Sequence, residues 1–105
     1  MLIGAGCDRR VAGGRADGAA IFDEACARCH GPGGVPDQGL VVRLGVKDLT
    51  STELQDRLTD AEMQRQIVEG SKNQQMPAFS DLLTPEQLAA VVAHVRTLRT
   101  RPAPR

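Results

Sequence analysis

Apolar residues recur at helical spacing in three stretches of the chain. Phe22, Ala25, Cys26 and Cys29 stand at i, i+3, i+4 and i+7. This predicts a first helix from about Asp17 to Cys29, with Asp17 as its cap. A second helix is expected from Asp60 to Glu69. Thr59 and Glu62 form a capping-box pair at its start, and Gly70 suits a left-handed position at its end. The third pattern is the strongest. Thr84 is an N-cap, Pro85 sits at the first helical position and Gln87 completes the box. Leu88, Val91, Val92, Val95 and Leu98 then form one buried stripe, and Arg96 and Arg99 near the end suit the helix dipole.

Between these stretches the pattern is less regular. Gly31-Pro32-Gly33-Gly34 stops the first helix. From Gly31 to Leu49 the apolar residues Leu40, Val41, Val42, Leu44, Val46 and Leu49 follow no single period. This segment reads as an irregular loop wrapped on something apolar, with a short strand as the alternative. Thr50 to Leu58 fits a short helix, with Thr50 and Glu53 as its capping box. Residues 71 to 83 form a loop containing Met76-Pro77. The expected class is all-α, with three main helices plus a short one.

At 105 residues the chain makes one domain. Residues 1–16 read as a flexible lead-in, 17–100 as the domain, and 101–105 as a disordered tail around Pro102 and Pro104. No apolar run reaches the 18 or so residues of a membrane span. Thirteen basic residues balance thirteen acidic ones, which argues against a nucleic-acid partner. There is no Trp or Tyr, and Phe22 and Phe79 are the two aromatic residues. A core so short of aromatic burial suggests a large apolar object from outside the chain.

The three cysteines, Cys7, Cys26 and Cys29, fit no simple disulfide framework. Small residues directly before Cys7 resemble the cleavage site of bacterial lipoprotein signals, although Gly4 stands where a leucine is usual. On that reading Cys7 is lipidated and anchors the protein to a membrane. Otherwise it is an ordinary residue of a disordered tail.

The chemistry centres on Cys26-Ala27-Arg28-Cys29-His30. C-x-x-C-H is the pattern of c-type haem attachment. On a helix, residues three and four apart share a face. Both thiols then reach the two vinyl groups of one porphyrin, and the His30 imidazole points at its iron. A zinc site needs four ligands, and only Cys7, His94 or a carboxylate could complete one. A redox dithiol expects a βαβ setting. For the second axial ligand the chain offers Met1, Met63, Met76 and His94. Met63 belongs to a helix, with Ile67 one turn on, and suits the core. Met1 lies on the lead-in. Met76 sits in a loop before Pro77, which biases it toward extended backbone. Met/His ligation also raises the potential and suits electron transfer. Met76 is the expected ligand.

These motifs resemble class I c-type cytochromes of the small bacterial kind. Gly18 and Phe22 precede Cys26 by eight and four residues. Ile67-Val68-Glu69-Gly70, Met76-Pro77-Ala78-Phe79, Leu83-Thr84-Pro85-Glu86-Gln87 and Val92-Ala93-His94-Val95-Arg96-Thr97-Leu98 continue the likeness over about residues 17 to 100. The resemblance implies a haem wrapped by helices, His30 and Met76 as axial ligands, and first and last helices that cross. His94 stands where the family usually carries an aromatic residue, so it is expected to pack beside Gly18 and Phe22 with partial exposure. The alternative is a histidine ligand. A proline carbonyl often binds the free nitrogen of the ligand histidine in this family, and Pro36 is the nearest candidate. Arg43, Lys47, Lys72, Gln74 and Gln75 are candidate donors to the haem propionates.

The function implied is that of a monomeric single-electron carrier rather than an enzyme. It would hold one haem c and serve redox partner proteins in the bacterial periplasm. The rival readings are a haem sensor or peroxidase-like enzyme with a displaceable Met76, and a subunit of a larger oxidoreductase complex.

Overall fold

The computed structural model describes residues 10–100; Cys7, Met1 and the expected tail at 101–105 lie outside this range. Every regular element among the described residues is helical. Helix α1 is built from three consecutive segments, α-helical Gly18–Ile21, π-helical Phe22–Cys26 and α-helical Ala27–His30. Asp17 caps it, accepting from the Ala20 N–H at 3.1 Å. In the π turn the Ala27 N–H reaches back five residues to the Phe22 carbonyl. The face carrying the two cysteines is therefore rotated from where a plain α-helix would put it relative to Phe22. Helical π turns are rare and concentrate at functional sites.

Helix α2, Gln38–Leu44, replaces the irregular loop or strand expected there. Its signals are local. Asp37 accepts from the Gly39 N–H, and Gly45 takes the left-handed C-terminal position at φ 69°. Helix α3, Thr52–Arg57, starts one residue later than the expected box. Thr50 is drawn off to Asp48, whose Oδ1 accepts from both its N–H and its hydroxyl. Ser51 becomes the cap and accepts from Leu54 N–H.

Helices α4, Asp60–Glu69, and α5, Pro85–Thr97, carry complete capping boxes at Thr59/Glu62 and Thr84/Gln87. Gly70 has the expected positive φ of 77°, but with ψ −175° it leads the chain away extended rather than left-handed.

The main packing contact is the crossing of α1 on α5. Phe22 is fully buried there, with its ring centroid 5.3 Å from that of His94. His94 is a half-exposed packing partner, as expected. A Cβ on Gly18 would stand 2.2 Å from the Ala90 carbonyl oxygen, so glycine alone permits this approach. Ile21, Met63, Val91, Val92 and Val95 fill the core, and Leu98 packs at its edge. Leu88 of the expected stripe is half-buried.

Two polar side chains bind the elements together. Gln87 is 1% exposed and fully satisfied. Its Oε1 accepts from Thr84 N–H, and its Nε2 donates to the Val11 and Arg15 carbonyls at 2.9 and 3.0 Å. These bonds, with Ala12 N–H to Glu24, dock the turn at Val11–Gly14 on the body. Val11 and Ala12, expected in a flexible lead-in, are buried. Arg96 does not serve its own helix end. It donates to the Gln55 and Leu58 carbonyls and to Asp60, tying α5 to α3 and α4. Arg99 pairs with Asp56 of α3.

At the start of α4, the Thr59 backbone N–H and then its side chain hold the Glu62 carboxyl below its ordinary 4.5. The unfolded chain therefore binds this proton more readily. The contribution is full above the ordinary value and is lost as pH falls through the folded one. Glu62→Gln should remove that part of the acid destabilisation. Denaturant midpoints between neutral pH and pH ~3, a range set by ordinary carboxylate values, should converge for variant and wild type toward low pH.

Candidate functional site

Cys26 ends the π turn of α1, and Cys29 and His30 lie in its last α-helical turn. Both thiols are free and half-buried. Burial pushes the Cys26 thiol up to about 11. This is opposite to the depressed value of a reactive dithiol. Among the described residues no three His, Cys, Asp or Glu side chains gather as a metal cluster, so the zinc alternative gains no partners there.

His30 is oriented from outside its helix. Its Nδ1 is 2.9 Å from the Lys47 carbonyl oxygen. With Nδ1 donating to that carbonyl, the ring is fixed and Nε2 keeps its lone pair, the arrangement typical of a metal-binding histidine. Lys47, not Pro36, supplies the carbonyl. Pro36 is buried, whereas α2 and its left-handed cap at Gly45 return the chain so that Lys47 passes His30. A backbone acceptor leaves no side-chain signature, but the Asp37 and Gly45 caps that deliver it were readable.

The path between them is tightly built. Gly31 has φ 86°, and a Cβ there would stand 2.0 Å from the Val35 carbonyl oxygen. The Gly34 N–H donates to the Gly31 carbonyl, and the Gly34 carbonyl accepts from Leu49.

Met76 lies on a separate loop after α4 and is half-buried. Its backbone bonds to Ser71 on both sides, and the Phe79 N–H donates to the Ile67 carbonyl of α4. The segment is thus folded back on the end of that helix. Met63 is in the core at 7% exposure, which leaves Met76 as the loop methionine of the described chain. A cavity of about 350 Å³ opens beside it, lined by Glu69, Ser71, Gln74, Met76, Pro77 and Ala78. The candidate propionate donors Arg43, Lys47, Lys72, Gln74 and Gln75 are all exposed.

The donors and surroundings fit a haem. Two unpaired thiols and an oriented imidazole occupy one helix end. Elsewhere in the described chain Leu40, Val41, Leu44 and Val46 are half-buried, and Val35, Val42 and Leu82 are 59%, 77% and 53% exposed. A chain with so few aromatic residues leaves these apolar side chains partly open to solvent, and an apolar cofactor would add the burial they lack.

Residues 14–95 match the family of cytochrome C oxidase, cbb3-type, subunit III. The chain belongs to this family of c-type cytochromes. Over 88 residues it is 34% identical to the cbb3-type cytochrome c oxidase subunit FixP of Sinorhizobium medicae (strain WSM419), covering 82% of this chain and 30% of that protein. The chain thus spans under a third of that relative's length. Among solved structures, the KustC0563 c-type cytochrome superposes with a TM-score of 0.73 at 32% identity, over 80% of this chain and 99% of that one. The all-α cytochrome c fold and an electron-transfer role follow for this c-type cytochrome domain, with haem c as the cofactor its family implies.

The glycine path after His30 makes a separable prediction. Gly31→Ala forces a Cβ onto a backbone oxygen that no rotamer can move, and should cost at least about 1–3 kcal/mol. Gly33→Ala meets nothing within 4 Å and should stay within about 0.5 kcal/mol of wild type. Denaturant midpoints and the haem-to-protein ratio of purified samples check both.

Proposed function

We propose that the chain holds one haem c through thioethers from Cys26 and Cys29, with His30 and Met76 as axial ligands. It then relays single electrons between redox partner proteins outside the cytoplasm. The observation that carries this reading is the His30–Lys47 bond. It places a histidine with a free Nε2, already oriented, beside two unpaired thiols.

Cys26 and Cys29 would hold the haem, each thiol adding S–H across one vinyl group without change of oxidation state. When bound, the haem supplies the one-electron couple. The chain's residues do the rest. The Lys47 carbonyl raises the basicity of His30 and fixes its ring. The Met76 thioether is soft and neutral and favours the reduced metal. With protein ligands on both faces, no position is left for a substrate, so the domain relays electrons and does not catalyse.

The domain spans 17–100 in this reading, with the Val11–Gly14 turn clamped to it. A lipid on Cys7 would hold it at the periplasmic face of the membrane, where a monomer would meet partners through small, weak interfaces. No helix of the described residues is long and apolar enough to cross a membrane.

A second reading is favoured by the likeness to FixP, whose name makes it an oxidase subunit. Here the same relay is a fixed part of a larger complex. Purification of the native protein under mild conditions separates the two: a carrier comes alone and a subunit brings companions.

Attachment and ligation are tested on variants. Wild type should keep its haem on a denaturing gel, whereas Cys26→Ala and Cys29→Ala should each give weak staining and poor yield. Loss of all haem from wild type under those conditions would rule out thioethers. Reduced Met76→Ala should bind carbon monoxide readily, while wild type and Met63→Leu should not, since the latter swap in a core costs under about 1.5 kcal/mol. Rapid binding by wild type would favour the sensor or peroxidase-like reading.

A further inference from the structure

The loop between α4 and α5 is closed by a single residue. Ser71 N–H donates to the Met76 carbonyl at 3.0 Å. Ser71 Oγ accepts from the Met76 N–H, also at 3.0 Å. Both backbone polar groups of Met76 are thus held by Ser71. The following residue, Pro77, has no N–H and restricts Met76 toward extended backbone.

The hydroxyl is itself oriented. Its proton goes to Asn73 Oδ1 at 2.6 Å, and the same oxygen accepts from Gln75 N–H at 3.0 Å. With its hydrogen committed to Asn73, Ser71 Oγ turns a lone pair to Met76. The Gln74 N–H donates to the Ser71 carbonyl at 3.0 Å, and Gln74 takes a left-handed φ of 63° to close the turn. Behind the loop, a Cβ on Gly70 would stand 2.6 Å from the Met76 carbonyl oxygen. The Met76 backbone is therefore packed against the end of α4 as well as bonded to Ser71.

The geometry points to Ser71 as the positioning residue for the Met76 thioether: by holding both backbone groups of Met76, it sets how readily a competing ligand displaces the sulfur from iron. This inference rests on the reading of Met76 as an axial ligand. The Met76 side chain has three rotatable bonds beyond its backbone. Holding the backbone leaves those rotations as the freedom still lost when sulfur binds. Ser71→Ala removes the acceptor of the part-buried Met76 N–H and one donor to Asn73, and lets the Met76 backbone move.

The test is titration of the ferric holoprotein with imidazole, followed by its absorbance. Ser71→Ala should bind imidazole about fivefold more tightly than wild type, the order expected for loss of one hydrogen bond. Ser71→Thr keeps the hydroxyl and should titrate like wild type. The double variant Ser71→Ala/Met76→Ala should match Met76→Ala alone, because Ser71 acts only through Met76. If Ser71→Ala titrates as wild type while Met76→Ala binds imidazole tightly, Ser71 does not position the ligand. An equal rise in affinity from Ser71→Ala in the Met76→Ala background would also overturn the inference. If Met76→Ala itself titrates as wild type, the ligand assignment falls and takes this inference with it. Should Ser71→Ala give no holoprotein, Asn73→Ala probes the same network. It frees the hydroxyl and should raise imidazole affinity by less than fivefold, and an unchanged affinity would overturn the inference.

Discussion

The structure depends on how closely α1 approaches α5. Gly18 lies against the Ala90 carbonyl with no room for a side chain. That approach lets Phe22, the one fully buried aromatic of the described chain, sit between the two helices with His94 beside it. A fully buried Phe contributes on the order of 1.5–3 kcal/mol, a large share for a domain this small. The crossing also fixes where α1 ends, and with it the position of Cys26, Cys29 and His30. A clash at Gly18 would therefore reach the site through the helix axis.

Around this crossing, polar side chains perform tasks that larger apolar ones perform in richer cores. Gln87 caps α5 and at the same time holds the Val11–Gly14 turn. Arg96 takes the last carbonyls of α3 and the first carboxylate of α4. Each satisfies several groups that burial would otherwise orphan, and an unpaired buried group costs about 1–3 kcal/mol. Leu40, Val41, Leu44 and Val46 remain only half-buried, and Val35, Val42 and Leu82 are exposed. On the proposed haem binding, core economy and cofactor would be linked, since an apolar group from outside would supply burial that the chain's own side chains do not.

The sequence was most legible where chemistry is local. The boxes at Thr59/Glu62 and Thr84/Gln87, the cap at Asp17 and the core place of Met63 all follow from residues a few positions apart. It was least legible where two local signals compete or where the acting group is backbone. Thr50 matched a capping box, but Asp48 two residues earlier takes its hydroxyl and moves the cap to Ser51. Helix α2 was hidden by a mixed apolar pattern, although Asp37 and Gly45 marked its ends. The π turn has no composition signal at all. The Lys47 carbonyl was out of reach because every residue has one, and the fold alone decides which of them meets His30. The two hydrogen bonds of Ser71 to Met76 span five residues and needed the closed loop to be seen.

The two proposed ligands are held in different ways, and the difference locates where the site can yield. His30 rides on a helix beside two cysteines that would bond the same porphyrin, and its ring is braced by the Lys47 carbonyl. Turning that ring away would break the bond to the Lys47 carbonyl. Met76 rides on a loop whose bonds are short-range and whose donors and acceptors, Ser71, Asn73 and Gln75, are half-buried or exposed. Water competes for exposed hydrogen bonds, so such loops open at far lower free energy than core helices. On the proposed ligation, ligand exchange would therefore act through the methionine side. There, changes to the 71–76 loop would alter the proposed ligation while leaving the α1–α5 crossing, and so the fold, in place.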